Sequence, residues 1–356
     1  MTMVRIFLVI SAACVLLVGC QSSVAPAQSA PVADETAALQ QRLDALQPGQ
    51  TLSLDQRVYG HRGVLKVTVP GVTIEGRGAT LQASEDETSS VQVLADNVTI
   101  HGLTLTAATE GKRWEGLNQQ KLAVLGASGV RIDDVTVNGS AAAGIFLKGA
   151  NNFALSNIRV ANTRADGIHI TGGSSEGTVT NVTTANTGDD GVAVVSYGDA
   201  PPSHNVDIAG TVVNGSHARG VSVVGGEHIR IRDVHVNDTA AAGIYIAAEG
   251  SPYFTQSVED VTVTNGTVTD ANRDPGVVNG AILVFSGNPG QSVTHVDVND
   301  ISVVGTPESA ERVVGLVANQ GTVAGINFNN LVLDGNNVEQ FYTNAPAGTF
   351  TLSNWS

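Results

Sequence analysis

Cysteine is absent after residue 20 of this 356-residue chain; its two cysteines are Cys14 and Cys20. No disulfide can therefore staple the body, and its stability must come from packing and hydrogen bonds. Aromatic residues make up only 4% of the sequence, and helix-favouring amphipathic periods are nearly missing. The second absence argues against a helical core. Positive charge is also scarce: 18 Lys and Arg stand against 33 Asp and Glu, a net charge of −15. That balance excludes a nucleic-acid partner, which needs basic surface, and disfavours an unassisted polyanionic substrate. What remains is a body rich in Gly, Val, Thr, Ala and Asn, long enough to bury a large core and expected to be monomeric.

The first residues read as a targeting segment rather than fold. Arg5 precedes an apolar run from Ile6 to Val18, short for a membrane span but of signal-peptide length. The run ends in Leu17-Val18-Gly19-Cys20, which resembles the bacterial lipoprotein lipobox. The resemblance implies cleavage before Cys20 and lipidation of its side chain; an ordinary secretory signal with a chance cysteine is the other reading. Residues 21–34, rich in Ser, Ala, Pro and Gln, read as a flexible tether. The expected organisation is a signal peptide over 1–19, a tether over 20–34 and one domain over 35–356. The protein would be exported and lipid-anchored to the extracytoplasmic face of the cell envelope.

Past the tether the sequence repeats. Glycines 144, 167, 191, 220 and 243 each begin a Gly–apolar–X–apolar unit, at spacings of 23, 24, 29 and 23 residues, with a weaker copy at Gly280. Each unit follows another strand-like run such as Val130–Val137 or Ile229–Val236. Short runs of Val and Ile bounded by Gly, Asn and Asp signal strands. Several strands in a fixed period of about 23 residues predict an all-β solenoid, the right-handed parallel β-helix. A β-sandwich, the rival, does not predict a fixed long period. Thr36 to Leu46 has the spacing of a short amphipathic helix, expected to cap the open end. Asn138, Asn162, Asn186, Asn214 and Asn237 recur before the glycines and are expected to form a stacked amide ladder.

Alternation places Ile145, Ile168, Val192, Val221 and Ile244 inward, and Phe146, His169, Ala193, Ser222 and Tyr245 in one outward column. The residue before each glycine forms a second column: Ala143, Asp166, Asp190, Arg219 and Ala242. Its polar members are concentrated in the middle, beside Asp189. Asp-Gly is a common turn pair, but turn duty does not explain Asp-Asp stacked on Asp. Stacked like charges destabilise neighbouring strands, so their retention points to chemistry. Crowding raises the pKa of at least one carboxyl, which yields one proton donor and one or two bases, the division of labour of glycoside hydrolysis. Loops beside the same strip carry Trp114, Tyr197 and Tyr253, candidate platforms for sugar rings.

Asp166-Gly167-Ile168-His169-Ile170 with Gly188-Asp189-Asp190-Gly191 resembles the aspartate motifs of glycoside hydrolase family 28, the polygalacturonases and relatives, within the pectin-lyase-like β-helix superfamily. The resemblance implies Asp189 as general acid and Asp166 and Asp190 as holders of the water for inverting attack, without a cofactor or metal. Arg164, His169, Tyr197, His217, Arg219 and Tyr245 are the candidate substrate-binding residues. The family's Asn-Thr reads Arg164-Ala165 here, its Gly-His-Gly reads Ala218-Arg219-Gly220 with His217 adjacent, and its Arg-Ile-Lys reads Tyr245-Ile246-Ala247. Losing those cations speaks against polygalacturonate as the polysaccharide partner. Two other readings stay open. One is a Ca²⁺-dependent polysaccharide lyase with Arg219 as base and the aspartates as ligands; the other is a non-catalytic glycan-binding surface protein. The eight histidines show no zinc-ligand pair on one strand face, and no phosphate-binding loop is present.

Overall fold

The repeat forms because each unit carries two short apolar runs separated by residues that can bend the backbone. In the computed structural model, which describes residues 32–334 and 337–356, these runs stack into two parallel sheets. The signal segment, Cys20 and the tether up to residue 31 lie outside the described residues. One sheet contains the long strands, such as Arg131–Ser140, Ala154–Thr163, Ser175–Thr187, His204–Ser216 and Gly226–Thr239. The other contains the short ones, among them Ile145–Lys148, Ile168–Thr171, Val192–Val195, Val221–Val224 and Ile244–Ala248. Successive coils pair in register and in parallel, so the chain is a right-handed parallel β-helix.

The core is the inward column repeated. Ile145, Ile168, Val192, Val221 and Ile244 pair rung to rung and are 0–1% exposed. Each contributes about 1.5–3 kcal/mol of apolar burial. The glycine before each of them sits where coils approach most closely: a Cβ on Gly167 would lie 2.5 Å from the Gly191 carbonyl oxygen, and one on Gly191 would lie 2.7 Å from that of Gly220. The motif's glycine is therefore a packing requirement. The helix Thr36–Asp44 closes the N-terminal end, with Leu39, Leu43 and the following Leu46 buried in the core cluster. At the other end aromatic rings do this work: Trp355 meets Phe328 and Phe341 edge-on, with centroids 6.1 and 5.6 Å apart.

The long strands turn a corner at one residue. Gly102, Asp134, Asn157, Asn181, Gly210, Asp233, Asn265, Asp300 and Asn330 occupy one register position, and all have φ between 50° and 63°. Only Gly, Asn and Asp populate that left-handed region readily. Asn181 Nδ2 also donates to Asn157 Oδ1 at 2.6 Å. Asn181→Ala is therefore expected to destabilise the protein by about 1–2 kcal/mol, and Asn181→Gly by less, the reverse of ordinary strand preference. Denaturation midpoints of the two variants check this; an Ala variant as stable as the Gly variant would refute it.

The expected amide ladder is corrected. Asn162 and Asn186 stand in register with Gly139, Gly215 and Asp238, whereas Asn138, Asn214 and Asn237 lie one position earlier. The five amides thus divide between adjacent columns. Side-chain bonds join Asn162 to Asn138 at 2.7 Å and Asn186 to Asn162 at 3.3 Å, and among the described residues this chain of amides goes no further.

Candidate active site

Between each long strand and the next short one the backbone makes a tight turn held by a hydroxyl. Ser140, Thr163, Thr187, Ser216 and Thr239 share one register position, and each donates to a carbonyl two or three residues on. These turns present Asp166 on one coil and Asp189-Asp190 on the next. The Asp190 amide donates to Asp166 Oδ1 at 3.0 Å, locking the two coils together at the site. Asp166, Asp189 and Asp190 each direct a carboxylate oxygen to within 4.8 Å of the others.

Their surroundings differ. Asp166 is 8% exposed, and its Oδ2 is 2.7 Å from His169 Nδ1. The imidazole is fixed in turn by stacking on Phe146, with centroids 5.2 Å apart. Asp190 is 4% exposed; its Oδ1 accepts the Arg219 amide at 2.9 Å and its Oδ2 the Ser222 hydroxyl at 2.5 Å. Asp189 keeps more solvent contact, with 27% of its side chain exposed, and accepts Arg113 Nη1 at 2.6 Å. Burial pushes the Asp190 carboxyl up to about 7; the Asp166 and Asp189 charges add to the shift, and Arg219 and Ser222 oppose it. Asp189 is raised as well, by burial and then by Asp166, against Arg113. The cluster can therefore hold a proton near neutral pH.

The three aspartates line a cleft of about 280 Å³, with Arg113, His169, Tyr197 and Arg219 around them. Burial, followed by the charges of Asp166, Glu249 and Asp189, pushes the Tyr197 phenol up to about 12, so it stays a hydrogen-bond donor. Arg219 donates to Glu249 at 2.8 Å and lies 4.4 Å over the ring of Tyr245.

Three of the expected substrate contacts are placed elsewhere. Tyr245 is 3% exposed, lies beneath Arg219 and donates to Glu249 at 2.9 Å. The outward column is thus covered at Tyr245, beside the loops around 196–203 and 249–257, while Phe146, His169 and Ala193 line the cleft; Gln256 Nε2 binds the carbonyls of Tyr197 and Ala200 at 2.9 and 2.8 Å. His217 is exposed but outside the cleft lining. Arg164 is buried beneath the 107–120 loop and bound to Asp86. Trp114 of that loop is covered by Lys112, 4.0 Å from its ring, while Tyr253 does reach the cleft. Arg113, Ser222 and Glu249 were missed as functional candidates. Glu249 was legible from alternation, two and four positions beyond the outward Ala247 and Tyr245; the reach of Arg113 had no signal beyond its place in a loop beside the strip.

Asp166, Asp189 and Asp190 are also, among the described residues, the group whose oxygens could meet on one cation. Calcium takes six to eight oxygen ligands. Here both oxygens of Asp166 and of Asp190, and one of Asp189, already have N–H, O–H or imidazole partners, and two guanidinium groups flank them.

The family of right handed beta helix regions matches residues 87–259. No curated protein matches the chain in sequence. Solved structures match in fold. The catalytic domain of GH87 alpha-1,3-glucanase in complex with nigerose is 18% identical with a TM-score of 0.63, over 94% of this chain and 71% of that one. The Family 28 exopolygalacturonase of Yersinia enterocolitica is 14% identical with a TM-score of 0.59, over 91% and 75%. The endo-xylogalacturonan hydrolase of Aspergillus tubingensis is 19% identical with a TM-score of 0.63, over 91% and 96%. The glucanase domain is also known with single aspartate-to-alanine replacements, bound to nigerose or tetrasaccharides. The replaced positions are spaced 23 and 1 apart, as are Asp166, Asp189 and Asp190.

Proposed function

We propose that this protein is a glycoside hydrolase acting on a neutral polysaccharide, with Asp189 as proton donor and Asp166 and Asp190 as the pair that holds and activates the attacking water. The observation that carries this reading is the convergence of three carboxylates from two coils at the floor of a cleft, two of them with raised pKa. Asp189, the most exposed of the three, is best placed to meet a glycosidic oxygen. One water bonded to two carboxylate oxygens at about 2.8 Å spans about 4.6 Å between them, which suits the separation within this cluster. The expectation of inversion comes from the family 28 resemblance, since the same separation holds between Asp189 and either partner. The matching aspartate spacing in the glucanase variants supports the same reading.

The cleft's charges argue for a neutral sugar. Its Arg and Lys side chains are Arg113, Lys148 and Arg219, and each faces a carboxylate: Arg113 faces Asp189 and Glu115, Lys148 faces Asp199, and Arg219 faces Glu249 and Asp190. A uronate would have to displace one of these pairs. His169, Tyr197 and Arg219 are left to contact hydroxyl groups. The lyase alternative loses its base, because Asp190 and Glu249 hold the Arg219 guanidinium in its charged form. The motif at Cys20 would anchor this cleft at the envelope surface.

The test is a screen of the purified protein against alpha-1,3-glucan, other neutral glucans, xylogalacturonan and polygalacturonate. Reducing ends should appear on a neutral glycan, be unaffected by chelator, lack any unsaturated ultraviolet-absorbing product, and vanish in Asp189→Asn. The first-formed anomer, read by NMR, should be inverted. An unsaturated product, or an Asp189→Asn variant as active as the parent, would overturn the assignment.

A further inference from the structure

Arg164 stands two residues before Asp166, yet it turns away from the cleft. Its side chain is 6% exposed. Nη1 donates to Asp86 Oδ2 at 2.5 Å and to the Lys112 carbonyl at 2.9 Å; Nη2 donates to Asp86 Oδ1 and to the Ala108 carbonyl, both at 3.1 Å. One guanidinium thus holds a carboxylate from one loop and two carbonyls from another. Gly111, with φ of 130°, lies so close that a Cβ there would fall 2.9 Å from Arg164 Nη1. The loop backbone rests on the planar group, an arrangement that an ammonium cannot reproduce.

The anchored segment ends in Arg113. The Trp114 amide fixes the next residue to the Ala141 carbonyl at 2.9 Å, so Arg113 is clamped on both sides. Its Nε is held by Glu115 at 2.7 Å, and its Nη1 reaches Asp189 Oδ2 at 2.6 Å, 76 residues away. Among the described residues this is the one hydrogen bond to the Asp189 carboxylate. Asp189 also faces Asp166 and His169 on the coil before, Asp190 on its own turn, Arg219 on the coil after, and Tyr197 from the opposite loop.

We propose that Arg164 and Arg113 form a positioning relay: Arg164 fixes the 108–115 loop so that Arg113 holds the Asp189 carboxylate in place over the cleft. The relay sets which state Asp189 occupies before substrate arrives, and a glycan must exchange with Arg113 for Asp189 to carry the proton. The role assigned to Asp189 rests on the hydrolase reading; the relay itself is geometric and can be read without turnover.

Two measurements need no substrate. With ¹³C-labelled aspartate carboxyls, the Asp189 resonance should titrate about one pH unit higher in Arg113→Gln, since a charge-assisted hydrogen bond to the carboxylate is lost. It should move in the same direction in Arg164→Lys and return towards the parent value in Arg113→Lys. Limited trypsin digestion should cut after Lys112 or Arg113 in Arg164→Lys at least about tenfold faster than in the parent, because the loop carbonyls lose their anchor. If the glycan screen succeeds, the alkaline limb of the pH–rate profile should shift with the NMR midpoint. An Arg164→Lys protein with parental trypsin resistance and an unmoved Asp189 midpoint would overturn the relay. A moved midpoint in a protein that cleaves no glycan would leave the relay standing and overturn the hydrolase.

Discussion

Asp190→Asn is expected to lower turnover by at least about 10³-fold and, in the same protein, to raise stability at pH 8 by about 2–4 kcal/mol. The two effects have one source. Asp190 is enclosed and shares its site with two other carboxylates, so its folded-state pKa stands at about 7 against an unperturbed 3.8. Between those values the folded protein keeps a proton that the unfolded chain has released. The stability attached to that proton is fully present below about pH 4 and lost as pH rises through about 7. Above that, the native state carries a buried charge next to two others. Asparagine has nearly the same shape, its Oδ1 can still accept the Arg219 amide, and its Nδ2 can donate to Ser222 Oγ. What it removes is the charge. The difference in unfolding free energy between variant and parent should therefore grow from pH 4 to 7 and stay level above. Taking the difference is necessary because His61, pushed down to about 4 by burial and by Lys121, gives the parent an opposite slope over much of that interval. A variant no more stable than the parent at pH 8 would mean that the carboxylate is solvated and the cluster is not a shared-proton site.

The strand pattern and the three aspartates were legible in the sequence because both depend on the coil period. Residues 23 or 24 apart return to one register position, so Asp166 and Asp190 had to stack once the repeat was recognised. The inward column Ile145 to Ile244 follows for the same reason. The failures begin where the chain leaves the period. One turn position is left-handed on each of these coils, and Gly139, Asn162, Asn186, Gly215 and Asp238 fill it; Asn138, Asn214 and Asn237 stand just before the Gly or Asp that does, which is why the five amides part. Tyr245 alternates outward as expected, but Arg219 lies over its ring and Glu249 accepts its hydroxyl, and alternation carries no information on what packs against an outward residue. Arg164 looked like a groove residue because it neighbours Asp166. Its partners, Asp86 and the 108–112 carbonyls, come from loops 52 to 78 residues earlier, whose lengths vary independently of the repeat. Arg113 reaches Asp189 from the same insertion.

Lys121→Met is expected to remove a rise in stability with pH that the parent shows between about pH 7 and pH 10, worth about 2–5 kcal/mol. Lys121 occupies, one coil earlier, the register position of Gly144, and is fully buried. Its Nζ lies 3.1 Å from His61 Nε2 and donates to the Ser89 carbonyl at 3.0 Å. Among the described residues no carboxylate is bonded to it, and burial lowers its pKa from 10.5 to about 7. Between these values the unfolded chain holds a proton that the folded one has lost, so stability rises with pH across the interval and is level below it. Methionine has no proton to exchange and fills similar space, but it leaves His61 Nε2 and the Ser89 carbonyl without their partner, at about 1–3 kcal/mol. The variant should therefore be less stable than the parent near pH 10, and the gap should close or reverse by pH 7. Parallel curves for variant and parent would show that the ammonium reaches water in the native protein. The same comparison tests the packing of the first coils, since an amine kept neutral at pH 8 requires the core under the 3₁₀ turn Asp86–Thr88 to be as dry as the columns beyond it.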